Sequence, residues 1–211
     1  ASGAHLAKPL DLLESVHDTV GASAISGCGA GGVVGGPHEI EGGTAVAVWA
    51  ADLAGGVART FHADVDERED GLALAGMPDP VGADGLLLFP DPYSMPTDTV
   101  LRALDEACPG TVVLGGLPSA RTLDGEAALL CDDRVHGGGV SGVVLRDVGM
   151  TACVSQGAVP MGPELTITAA EGHVIRELAG QPALPRIRTA IGELDDRERA
   201  LADSFVISAD A

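Results

Sequence analysis

Aromatic side chains are scarce in this chain: one Trp, one Tyr and three Phe among 211 residues. Its core therefore has to come from Val, Leu, Ile and Ala, a set that suits β-sheets joined by tight turns. Basic side chains are scarce as well. Twelve Lys and Arg stand against 31 Asp and Glu, for a formal net charge of -19. A field of that sign repels phosphate backbones and anionic lipid, which excludes nucleic acid and membrane surfaces as natural partners. The acidic surface reads first as a solubility device. No apolar run approaches the roughly 18 residues that a membrane span requires, and no signal peptide is recognisable. Cysteine is limited to Cys28, Cys108, Cys131 and Cys153, with no CxxC pair. Four scattered thiols fit a reducing cytoplasm better than a disulfide framework. The chain opens Ala1-Ser2-Gly3-Ala4 without methionine, as a fragment or a processed product would.

What is abundant is apolar surface and glycine. Hydrophobic residues make up 45% of the chain and there are 30 glycines, enough to bury a sizeable core and to exclude global disorder. Leu6, Leu10, Leu13, Val16 and Val20 recur at three- and four-residue steps and predict a helix with one apolar face. Residues 22–25 read as a short buried strand running into Gly27-Cys28-Gly29-Ala30-Gly31-Gly32. Residues 44–51 and 57–63 read as two further strands around the turn Gly55-Gly56. Residues 64–82 read as a surface connection. Gly85-Leu86-Leu87-Leu88-Phe89 has the continuous apolar character of a strand covered on both faces. A helix over 97–107 and a strand over 111–114 complete a parallel α/β unit with a right-handed crossover. Beyond Glu126, strands over 127–131, 139–145, 151–155 and 165–169 predict a largely antiparallel β-meander. Leu184, Ile187 and Ile191 return to helical spacing, and Phe205-Val206-Ile207 could open a last strand. The expected fold class is thus α/β with α+β character in its second half, a mixed sheet with flanking helices.

Gly27-x-Gly29-x-x-Gly32 fits the letters of a dinucleotide fingerprint, but that chemistry needs a helix N-terminus next, so that amides face the pyrophosphate. Val33-Val34-Gly35-Gly36-Pro37 follows instead, and the phosphate cradle is excluded. Glycine turns at strand ends still let backbone approach a small molecule. Gly27, Cys28 and Gly29 form one such turn, and Gly115, Gly116 and Ser119 a second; each equally fits plain turn geometry. Ser155 and Gln156, followed by Gly157 and Gly162, add a hydroxyl and an amide suited to a polar ligand. The six histidines form no HxH or HExxH, so no preassembled metal site is expected. His38 and His136 read as solvent-facing, although a single histidine can serve as an axial haem ligand. No GxSxG elbow is present.

At these motifs the chain resembles the N-terminal domain of the FIST sensory family. The resemblance rests on Ser26-Gly27-Cys28 with its following glycines, the stretch 39–49, Leu88-Phe89-Pro90-Asp91-Pro92 and Gly115-Gly116-Leu117-Pro118-Ser119. It continues through Gly142-Val143-Val144-Leu145, Val154-Ser155-Gln156-Gly157, Pro160-x-Gly162 and the stretch 168–183. The chain departs from the family pattern at Gly29 and Gly31, where polar or acidic residues are usual, and at Ala158, where a second cysteine is usual. The resemblance implies a cytoplasmic bacterial signal-transduction domain over residues 1–185, starting after the family's first strand. Residues 186–211 would then enter a C-terminal FIST domain.

The expected activity is binding of a small ligand, an amino acid or similar polar molecule, without catalysis. The expected partner is the C-terminal FIST domain or a signalling protein. Haem-dependent nitric-oxide sensing is the alternative within the family. A hydrolase using Cys28 or Ser155, and an acidic protein-interaction module, are the alternatives outside it.

Overall fold

The computed structural model describes residues 1–68, 71–154, 163–172 and 174–202. The chain divides into two compact units, Ala1–Cys153 and Val154–Ala211.

The first unit opens with a 3₁₀ turn, Gly3–Ala7, and helix α1 (Pro9–Val20). The predicted single helix is therefore interrupted. Proline at the first helical position lacks an N–H that would have no partner there in any case, and Gly21 ends the helix at φ 65°. Leu12 and Leu13 are buried, whereas Leu10 and Val20 face outward. The strands that follow are β1 (Ser26–Cys28), β2 (Gly32–Gly35), β3 (His38–Glu41), β4 (Val57–Arg68), β5 (Gly71–Ala75) and β6 (Gly85–Pro90). Helix α2 (Thr97–Ala107) precedes β7 (Val112–Gly115), β8 (Leu129–Cys131), β9 (Arg134–His136) and β10 (Val140–Arg146).

The central sheet has the order β5-β4-β10-β6-β7. Only β6 and β7 are parallel, joined through α2 as the strand–helix–strand pattern requires. The other pairs are antiparallel, so the sheet is mixed. β6 earns its apolar run by position: Leu86 and Leu88 lie in a core with Phe61, Val140, Val100 and Leu104. Burying each such leucine contributes about 1.5–3 kcal/mol. A three-stranded sheet, β1-β8-β9, lies beside it. Two serines stitch the sheets: Ser26 Oγ donates to Ser141 Oγ (2.9 Å), which donates to the Leu130 carbonyl (2.6 Å).

Several expectations change. Residues 22–25 are not a strand; pairing begins at Ser26, opposite Cys131. Residues 64–82 are not all connection, because β4 runs on and β5 turns back along it. A hairpin, β2 and β3, takes up the glycines where the fingerprint would have needed a helix. β10 does not continue a meander from β9 but inserts between β4 and β6. Residues 44–51 form no strand despite their β-prone composition. Among the described residues the backbone from 46 to 51 makes no hydrogen bond, and Val46, Val48 and Trp49 are exposed, Trp49 to 82%. Residues 151–154 likewise form no strand.

The second unit carries a true meander, β11 (Ile167–Glu171), β12 (Val174–Leu178) and β13 (Gln181–Pro182), then helices α3 (Ala183–Gly192) and α4 (Asp196–Ala202). The expected strand at Phe205-Val206-Ile207 lies outside the described residues.

Candidate functional site

The polar chemistry gathers where β6 ends. Asp91 is the residue after that strand, and only 2% of its surface is exposed. A buried carboxylate is costly unless its oxygens are satisfied, and here they are. The Ser94 hydroxyl donates to one oxygen at 2.7 Å, and the Arg121 guanidinium donates to the other at 2.6 Å. The Tyr93 N–H adds a longer bond of 3.4 Å. Burial alone would raise the Asp91 carboxyl; the bonds from Ser94, Arg121 and Tyr93 outweigh it and hold the group below its ordinary range. Arg121 is fixed a second time, over the Tyr93 ring at 4.1 Å from its centre. The loop that carries Arg121 is closed by a bridge to Ala127 and by the Thr122 N–H bonded to the Glu126 carbonyl at 2.9 Å.

The opposite wall is the glycine segment between β9 and β10. The Asp91 N–H donates to the Gly139 carbonyl (2.9 Å), and the Gly139 N–H donates to Ser94 Oγ (2.8 Å). Gly139 sits at φ 79°, and a Cβ there would meet the Ala63 carbonyl at 2.5 Å and Asp64 Oδ1 at 2.7 Å, so no side chain is accommodated. Asp91, Tyr93, Ser94, Arg121, Gly125, Glu126 and Gly137 line an open cleft of about 480 Å³. Beyond the carboxyl ends of strands is where open α/β sheets hold ligands. The cleft presents a fixed cation, Arg121, and a carboxylate, Glu126, to one small space.

Two histidines back this wall. The rings of His62 and His136 are stacked with centres 3.7 Å apart and planes 6° from parallel. His62 Nε2 lies 2.8 Å from the Gly138 carbonyl, which can only accept, so that nitrogen carries the proton. His136 is therefore half-buried against His62, not free in solvent as its glycine-rich surroundings predicted. His38 does face solvent, on β3.

The predicted site residues divide. Gly27 and Cys28 lie in β1, paired with β8. Gly29 is buried, and a Cβ on it would meet Leu6 Cδ2 at 2.8 Å; packing explains this glycine. Burial pushes the Cys28 thiol up, the opposite of what a nucleophilic cysteine needs. The two predicted turns do meet: the Gly31 N–H donates to Ser119 Oγ at 3.0 Å. Gly115 closes β7, and the Gly116 N–H donates to the Leu88 carbonyl at 3.1 Å. Ser155, Gln156, Gly157 and Gly162 lie outside the described residues. Sequence reasoning passed over Arg121, two residues after Ser119, and over Asp91. The signal for Asp91 was present in Pro90-Asp91-Pro92, a polar residue clamped between prolines at the end of a buried strand.

Among the described residues no three His, Cys, Asp or Glu side chains converge as a metal would need, and no helix is long and apolar enough to cross a membrane. Neither of two cavities among the described residues offers a histidine ligand to haem, which the family resemblance raised. The cleft is lined by charges, and the apolar pocket of about 230 Å³ between α2 and the 77–80 loop has no histidine.

Fold and cleft together define an α+β domain with a mixed sheet and a polar cavity at its strand ends. The chain belongs to the FIST family: its N domain matches residues 1–181. FIST domains are sensory domains that take small ligands in signal transduction. The chain is also similar to the uncharacterised protein Rv0628c of Mycobacterium tuberculosis, 39% identical over 191 residues covering 90% of this chain and 49% of the relative. The uncharacterised protein Mb0898c of Mycobacterium bovis is 37% identical over 201 residues, covering 95% of this chain and 52% of that protein. The chain thus spans about half the length of these curated relatives. No solved structure matches it.

Proposed function

We propose that this chain is the non-catalytic, cytoplasmic ligand-sensing part of a signalling protein, and that its ligand is a free amino acid or similarly small zwitterion held in the Asp91–Arg121 cleft. One observation carries the reading: a guanidinium and a carboxylate, Arg121 and Glu126, border the same cleft. Asp91 and Tyr93 hold Arg121 in place before any ligand arrives, which lowers the ordering cost of binding. Arg121 would take the α-carboxylate and Glu126 the α-ammonium. The converging turns at Gly31 and Ser119 lead into the Arg121 loop and would transmit its position. Calorimetric titration with a panel of the common amino acids tests this. At least one should bind, and Arg121→Gln and Glu126→Gln should each weaken it about tenfold or more. Binding that survives both substitutions unchanged would remove the cleft from consideration.

Sensing also needs a reader. Ligand would shift the population between two arrangements of this domain against that reader. The surface we assign to it is the exposed, uncharged run 46–51, whose backbone makes no hydrogen bond among the described residues and so is suited to strand addition. We take the reader to be a strand of the second half that relatives of about twice this length carry.

A further inference from the structure

The histidine pair lies behind the cleft rather than in it, and nothing so far gives it a task. Its connections run inward. His136 ends β9 and is followed directly by Gly137, which lines the cleft. His62 holds the Gly138 carbonyl through Nε2 at 2.8 Å. Gly139 then grips Ser94, and Ser94 grips Asp91. From the two rings to the carboxylate that fixes Arg121 there is one unbroken series of short contacts.

We propose that the stacked rings of His62 and His136 position the Gly137–Gly139 wall and make the cleft pH-sensitive, holding it closed while the rings are neutral and releasing it once both are protonated. This rests on the cleft being the ligand site only for its consequence for binding; the structural coupling stands without it. The stacking geometry is what makes the pair a switch. While the rings are neutral no charge opposes their parallel contact. Two imidazolium rings at 3.7 Å repel with nothing between them.

The charged groups around the pair do not remove that conflict. Asp64, on the same strand as His62, favours the charged form of His136, while Arg134 on β9 opposes it. Glu126 closes over Gly137 from the Arg121 loop, and Asp91 is already committed to Ser94 and Arg121. Burial first, then His62, draws the His136 value down. A histidine lowered in the folded state contributes its full stability above its unfolded value of about 6.5 and loses it as the pH falls below that. Opening is therefore favoured by mild acid.

The test reads the unliganded chain. Exchange protection of the Gly139 amide, corrected for intrinsic rates, is followed by NMR from about pH 7.5 to about 5.5 alongside the histidine ring protons. It should fall about tenfold or more as the rings titrate, while protection in β6 holds. His136→Phe keeps an aromatic ring on His62 but cannot titrate; it should retain protection at the higher pH and lose the pH dependence. If His136→Phe folds poorly, the native titration alone decides. Histidines that titrate while Gly139 stays protected, or a loss that persists in a folded His136→Phe, would overturn the coupling. The tightest amino acid of the panel should weaken about tenfold or more over the same range in the native chain and not in the variant. If no amino acid binds, the ligand assignment fails while the Gly139 result stands or falls by itself.

Discussion

Removing Arg121 is the most informative single perturbation of this molecule. Asp91 is buried and ionised, and Arg121 is its one counter-charge within bonding distance among the described residues, at 2.6 Å. Breaking a buried pair by deleting one partner generally costs about 3–5 kcal/mol, because the surviving charge is left uncompensated. Two facts lower the figure here. Asp91 keeps the Ser94 hydroxyl and the Tyr93 amide, and Arg121 is itself 27% exposed. We therefore expect about 2–3 kcal/mol for Arg121→Leu, and about 1–2 kcal/mol for Asp91→Asn, which keeps the shape but not the charge. The double variant should recover about 1–2 kcal/mol relative to the sum, since removing both partners leaves no orphan.

The chain has two units, so a global melt would mix their transitions. Denaturant-dependent hydrogen exchange at Leu86 and Leu88, in β6 of the first unit, isolates the relevant one. A pH arm gives the sign independently. Asp91 is held below its ordinary value, so its contribution is present above about pH 3.9 and fades as the pH falls through the lower, folded value. Asp91→Asn should flatten that acid slope. Additivity within about 0.5 kcal/mol would refute the reasoning, showing that the pair is neither coupled nor the hub that fixes the cleft.

Two further outcomes are accessible. Iodoacetamide at about pH 8 should label exposed Cys153 first, while Cys28, raised by burial, and Cys131, pushed to about 11 chiefly by burial, lag about tenfold or more; fast labelling of Cys28 would instead favour a hydrolase. Trp49 is the chain's one tryptophan and is exposed, so its emission should be red-shifted and readily quenched by iodide here, and shift to the blue on adding the second half of a relative. A blue shift that grows with protein concentration alone would assign the run to self-association.

Local pattern sufficed for much of the architecture. Helix α2 occupies the predicted span 97–107, with Val100 and Leu104 buried but Leu101 exposed, and β6 is where the apolar run of Leu86, Leu87, Leu88 and Phe89 stands, because periodicity and burial are properties of neighbouring residues. The glycine run at 27–32 was legible only in part, because Gly27 and Cys28 are paired in β1 and only residues 29–31 link that strand to β2. Composition also reads locally and misleads where a partner is needed: residues 44–51 look like a strand, yet among the described residues no strand pairs with them.

The cleft belongs to the other category. Asp91 and Arg121 are 30 positions apart, and His62 meets His136 only because β10 inserts between β4 and β6, carrying the 137–139 segment to the end of β6. No spacing rule links such residues, since the distance between them is set by strand order rather than by separation along the chain. Sequence by itself determined helix α2, strand β6 and the family; which charged side chains face one another was decided by the sheet that brings them together.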